Sequence, residues 1–132
     1  MYCFDTDTLS AMLKPNPSLS LIRKFAAVPP SAQFTTAITV GELMYGAYKV
    51  KREELATRIH TIILTGLEVL PFDQRAAEAY AQLRVQLESK GKPLAEPDLR
   101  ISAIAITHQL TVVTNNLKHF KRVPNLSVES WL

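Results

Sequence analysis

The chain has 132 residues, 47% of them hydrophobic, which is enough for one core and too short for two, so a single domain over residues 1–132 is expected. A formal net charge of +3 permits a polyanionic partner such as RNA, or an acidic protein, without requiring either. Cys3 as the sole cysteine excludes an internal disulfide, and no segment approaches the roughly 20 apolar residues of a membrane span, so a reduced, soluble, cytoplasmic protein is expected.

Met1 to Asp5 reads as a short buried strand, because parallel strands covered on both faces appear as continuous apolar runs. Thr6 or Asp7 then caps a helix through Leu13, stopped by Lys14-Pro15. A helix from about Ser18 to Ala27, a strand near Phe34 to Thr36 and a helix from about Ile38 to Tyr48 follow. Arg52 to Thr65 is helical with Gly66 as its stop, and Leu67 to Leu70 is a strand closed by Pro71. Asp73 caps a long amphipathic helix ended by Lys90-Gly91, and Pro97 fits the first turn of a helix running to about Gln109. Thr111 to Val113 is a further buried strand, ending at Thr114-Asn115-Asn116, and Val128 starts a last edge strand. Strands alternating with helices predict an α/β fold in which a mostly parallel sheet of four to five short strands carries helices on both faces. Ligands of such sheets bind beyond the carboxyl ends of the strands, where Asp5 and Asn116 both fall.

Three acids stand out because each lies in an apolar segment: Asp5 ends the first strand, Glu42 interrupts Ile38 to Met44, and Asp98 precedes Leu99 to Ile106. A carboxylate without water must be paired, protonated or neutralised by a cation, and no Lys or Arg partner is evident nearby in sequence. If the three converge, they suit a hard divalent cation. Plainer roles stay open for each: Asp5 as an Asx turn or cap, Glu42 as the partner of a distant Arg, Asp98 as a first-turn acid favoured by the helix dipole. Asp7 reads as the cap, and Thr114, Asn115 and Asn116 as a turn whose amide oxygens could also ligate a metal or orient water. His108 and His119 lack metal-ligand spacing. Lys49-Lys51-Arg52 and Lys118-Lys121-Arg122 are solvated faces or the basic rim a nuclease needs, and with no aromatic stacking residues interleaved among these charges, sequence-specific reading of single-stranded bases is not expected.

Asp5-Thr6-Asp7-Thr8 resembles the D-x-D-x-T signature of aspartate-nucleophile phosphatases, which implies phosphorylation of Asp5. That likeness stops there, since Thr114-Asn115-Asn116 stands where paired late acids belong. A broader resemblance runs through Phe4-Asp5-Thr6-Asp7, Ile38 to Ala47 with Gly41-Glu42 and Tyr45-Gly46, Pro97-Asp98-Leu99-Arg100, and Val112 to Phe120 with Arg122-Val123-Pro124 and Trp131. These motifs, in this order, resemble the PIN-domain VapC ribonuclease toxins of type II toxin–antitoxin pairs. The resemblance implies a PIN-like α/β/α sandwich and a Mg²⁺- or Mn²⁺-dependent endoribonuclease. It assigns the metal and the catalysis to Asp5, Glu42 and Asp98, with Asp7, Thr114, Asn115 and Asn116 in support. It further implies RNA as substrate, a homodimer, and inhibition by a VapB-like antitoxin through which the pair assembles on DNA. Two departures are Asp7 where Asn is frequent, and Asn116 with His119 where a further acid is frequent; they leave open a PIN-like interaction module without catalysis.

Overall fold

The strands Tyr2–Phe4 (β1), Gln33–Thr36 (β2), Glu68–Leu70 (β3), Thr111–Val113 (β4) and Val128–Glu129 (β5) form one sheet in the order β3-β2-β1-β4-β5. Every neighbouring pair is parallel, with Tyr2 to Phe4 in register with Thr111 to Val113. The computed structural model describes residues 1–132, apart from the Leu64 side chain. Among the described residues seven α-helices, with a 3-10 turn at Pro30–Ala32, connect the strands: Thr6–Met12 (α1), Leu19–Ala27 (α2), Ala37–Lys49 (α3), Glu53–Gly66 (α4), Gln74–Ser89 (α5), Glu96–Thr107 (α6) and Leu117–Phe120 (α7). Among the described residues no helix is long and apolar enough to cross a membrane.

The period of two along each strand decides which helices cover which face. Phe4 and Val113 point into a core shared with Leu9, Leu21, Leu43 and Ile63 of α1 to α4. Cys3 and Val112, one residue earlier in β1 and β4, point into the opposite core with Ala76, Ile101, Ile104 and Phe120 of α5, α6 and α7. Burial pushes the Cys3 thiol up to about 12, with the nearby Asp5 adding to the shift, so Cys3 serves as a small hydrophobe. Trp131 closes the first core edge-on to Tyr2, Phe4 and Phe25.

Helix starts follow short polar side chains: Ser18, Thr36 and Asp73 accept from the backbone N–H of Leu21, Thr39 and Ala76. Of the caps the sequence left open for α1, the structure selects Asp5 over Thr6 and Asp7. Asp5 itself accepts from Thr8 N–H at 2.9 Å, and Asp7 lies exposed in the first turn. Three helices end in the same motif, in which a residue with positive φ turns the chain back: Lys51 (φ 55) after α3, Gly91 (φ 67) after α5, Gln109 (φ 55) after α6. The next N–H in each case, from Arg52, Lys92 and Leu110, bonds to the carbonyl of Ala47, Leu87 and Ala105. Only the second carries the expected glycine. The turn at Gln109 ends α6 at Thr107, just short of the Gln109 expected from periodicity.

Candidate active site

The sheet order places a topological switch between β1 and β4: the chain leaves β1 towards β2 on one side and returns to β4 on the other. Connections diverge there, opening a crevice at the carboxyl ends of the strands. Asp5 follows β1 and Thr114 follows β4, so they flank that crevice. The Thr114 hydroxyl donates to Asp5 Oδ2 while Thr8 N–H holds Oδ1, and Asp5 is only 3% exposed.

Threonine hydroxyls stitch the surrounding strand ends. Thr35 donates to the Phe4 carbonyl at 2.8 Å, Thr8 to the Val113 carbonyl at 3.0 Å, and Thr114 Oγ1 accepts from Asn116 N–H at 2.8 Å. All three threonines are buried. Hydroxyls that satisfy buried carbonyls give the crevice floor a fixed geometry. Sequence reasoning named only Thr114 of these as a site residue; the available signal for Thr35 was threonine recurring at the end of β2 as it does after β4, and Thr8, inside α1, carried no such signal.

Glu42 reaches the crevice from α3, whose other face packs Leu43 and Ala47 into the core. Its Oε1 accepts a 2.5 Å bond from the Thr6 hydroxyl, a positioning contact the sequence reading missed. Asp98 enters from the first turn of α6, half-buried above the fully buried Leu99. Burial, then the charges of Asp5, Glu42 and Asp7, push the Asp98 carboxyl up to about 6, and His119 pulls it the other way. Asp5 is also raised, chiefly by burial and slightly by Asp7, against the lowering effect of its Thr114 and Thr8 hydrogen bonds. The acids expected to converge therefore share one electric field.

Among the described residues none of these acids forms an ion pair; the ion pairs involve Glu54, Glu88 and Glu96 instead. Crowded carboxylates with no Lys or Arg among them are a hard oxygen donor set, which suits a divalent cation. The set is looser than the closed triad expected from the sequence, since no three His, Cys, Asp or Glu side chains among the described residues gather closely enough to hold an ion by themselves. Hydrogen bonds tie Asp5 and Glu42 to their own frame, and like charges repel. Mg²⁺, which keeps several waters and uses one or two carboxylates, fits such an open set.

The remaining candidates scatter. Asn116 turns its amide to His119 Nδ1 at 2.6 Å, Asn115 is exposed, and His119 faces the acids through its effect on Asp98. Lys49 and Lys51 are exposed at the end of α3, while Arg52 pairs with Glu54 at 2.9 Å. Lys118 and Lys121 are exposed on and after α7, and Arg122 donates to the Pro93 carbonyl. The expectation that no aromatic side chain accompanies these cations is corrected by α3, where Tyr45 and Tyr48 stand exposed beside Lys49. From the crevice a groove of about 420 Å³ runs between α1, α3 and α4, with Glu42 and Thr6 at its edge, Leu13, Leu43 and Ile59 in its wall, and Arg58 among its cations.

A PIN domain family profile matches residues 2–126. The chain is 35% identical to the ribonuclease VapC2 of Rickettsia felis over 136 residues, covering 99% of this chain and 98% of the relative. It is equally 35% identical to the tRNA(fMet)-specific endonuclease VapC of Salmonella typhimurium over 130 residues, covering 98% and 97%. Its backbone superposes on VapBC2 of Rickettsia felis bound to a DNA fragment from their promoter with a TM-score of 0.88, at 32% identity and 99% and 98% coverage.

Proposed function

The chain belongs to the PIN-domain VapC toxins, the RNA-cleaving members of toxin–antitoxin pairs, and from that premise we propose that Asp5, Glu42 and Asp98 hold a Mg²⁺ or Mn²⁺ ion and hydrolyse RNA phosphodiester bonds. The observation that carries this reading is the crowding of Asp98 with Asp5, Glu42 and Asp7 at the switch-point crevice, where none of the ion pairs among the described residues involves these acids and where burial and the three charges push the Asp98 carboxyl up to about 6. Functional sites are where such mutually destabilised acids are tolerated.

A divalent cation at these acids supplies positive charge to the phosphate oxygens and makes a nearby water more acidic. The protein's own groups divide the remaining work. Asp5, locked by Thr8 and Thr114, fixes the position of the charge at the switch point. Glu42 is held at Oε1 by Thr6, which leaves Oε2 to accept a proton from an attacking water. Asp98 must ionise to take part, and a bound cation would favour that ionised form, so the cation concentration needed for half-maximal activity should rise as pH falls below about 6. No side chain forms a covalent intermediate.

The 420 Å³ groove beside Glu42 fits an apolar segment of a VapB-like antitoxin, whose occupancy would cover the acids. A homodimer, and assembly of the pair on DNA through the antitoxin, accompany this reading, in keeping with the DNA-bound VapBC complex of Rickettsia felis. The test is incubation of purified protein with single-stranded RNA. Cleavage is expected only with added Mg²⁺ or Mn²⁺, lost on adding EDTA and restored by excess Mn²⁺. Persistence in EDTA, or no cleavage with either ion, would overturn it. In the same assay Thr6→Val, which removes only the hydroxyl on Glu42, is expected to lower kcat/KM about tenfold or more with little change in melting temperature, as loss of an orienting partner does.

A further inference from the structure

The exposed end of α3 carries a side chain that the acid site does not use. Tyr45 is 64% exposed, one turn beyond Glu42, and makes no side-chain hydrogen bond among the described residues. Its ring forms one wall of a recess of about 500 Å³ whose other lining includes Thr6 and Glu42, the hydrogen-bonded pair at the acid crevice. Lys49 Nζ lies over the ring, 5.8 Å from its centroid. An acid, an aromatic face and a cation thus follow one another along about 10 Å of helix. From this juxtaposition we infer that Tyr45 is a nucleobase-stacking subsite, which seats an unpaired base next to the scissile phosphate while Lys49 takes a neighbouring phosphate.

The inference rests on the RNA-cleavage reading and narrows its substrate to RNA that is single-stranded at the cut. A base inside a duplex offers only its edge, so it cannot lie flat on the ring without leaving its stack. Tyr48 repeats the pattern one turn on, exposed beside Lys51 and Arg52, which is how grooves for single-stranded nucleic acid combine π-faces with cations. A protein partner is the competing occupant. The centre of a protein interface is depleted in Lys, whereas here Lys49 sits on the ring itself.

The experiment uses the full chain with Asp98→Asn, so that RNA binds without being cut, and an RNA carrying 2-aminopurine as the fluorescent base. Binding is expected to quench the 2-aminopurine, Tyr45→Ala to lose the quench and weaken affinity roughly ten- to hundredfold, and Tyr45→Phe to recover both. With Asp98 restored, Tyr45→Ala should raise KM far more than it lowers kcat. Wild-type affinity and quench in Tyr45→Ala, with RNA still cleaved by the parent protein, would overturn the subsite and leave the nuclease reading standing. The subsite is equally overturned if Tyr45→Ala spares RNA binding but changes the mass measured by light scattering, which assigns the ring to a protein interface. A parent protein that neither binds nor cleaves RNA removes both readings together.

Discussion

Asp98→Asn is expected to abolish RNA cleavage and, at pH 7 without divalent cation, to raise the melting temperature. The carboxyl has a value of about 6 in the folded protein against an ordinary 3.8, so the fold disfavours its ionised form. Between those values the native state binds more protons than the unfolded chain, and stability therefore falls as pH rises through the window and stays low above it. Two units correspond to about 2.7 kcal/mol. Because Asp98 is only half-buried, solvent screening reduces the usable part to about 1–2 kcal/mol. Asparagine keeps the shape and removes the charge, so at pH 7 the variant should melt roughly 3–8 °C higher. Near pH 4 most of the difference should be gone, and the two curves should meet below the ordinary value of 3.8, where Asp98 is protonated in both states. Mg²⁺ or Mn²⁺ should reverse the order by stabilising the parent protein far more than the variant. Scanning calorimetry at pH 4, 5.5 and 7, with and without Mn²⁺, measures all of this. A variant less stable than its parent at pH 7 in EDTA would remove Asp98 from the acid field.

The parts of this molecule that sequence alone could locate are those where one residue type has one physical explanation. Asp5, Glu42 and Asp98 were visible as acids in apolar runs because burial makes an unpaired carboxylate costly wherever it lies. The strands were visible as short apolar runs, and Asp73 and Gly91 as a cap and a helix stop, because each does locally what its chemistry favours. What escaped depends on residues brought from afar. That Asp5 is both cap and crevice acid follows from Thr114, 109 residues away, as much as from Thr8. Thr6 reads as an ordinary helix-start residue until Glu42 is folded against it. Lys51 and Gln109 close helices without glycine, so periodicity overran the end of α6. The four-residue α7 is too short to carry a helical period, although its His119 acts on Asp98. The face shared by Tyr45 and Lys49 is local and was legible at helical spacing, but only with tyrosine counted among the groups surrounding the basic run.

Asp5→Ala should likewise abolish cleavage but destabilise the protein, the opposite of Asp98→Asn. Alanine removes the acceptor for Thr8 N–H, a cap contribution of about 1 kcal/mol. It also strands the buried Thr114 hydroxyl, which costs a further 1–3 kcal/mol. Burial disfavours the ionised Asp5, and its removal returns part of this, leaving a net loss of about 2 kcal/mol. Asp5→Asn separates the two roles. Its amide oxygen still accepts from Thr8, and its nitrogen can donate to Thr114 Oγ1 once that hydroxyl rotates, so activity should vanish while most stability remains. Urea denaturation of the two variants, with Thr114→Val as the third corner of a double-mutant cycle, resolves the terms. If alanine and asparagine prove equally stable, or if Thr114→Val shows no coupling to Asp5, the bond across the switch point contributes nothing to the fold. A measured coupling would establish that Asp5 is built into the frame joining β1, α1 and β4, whereas Asp98 only faces the cavity that frame encloses. That difference in support is why two acids of one cleft should shift stability in opposite directions when their charges are removed.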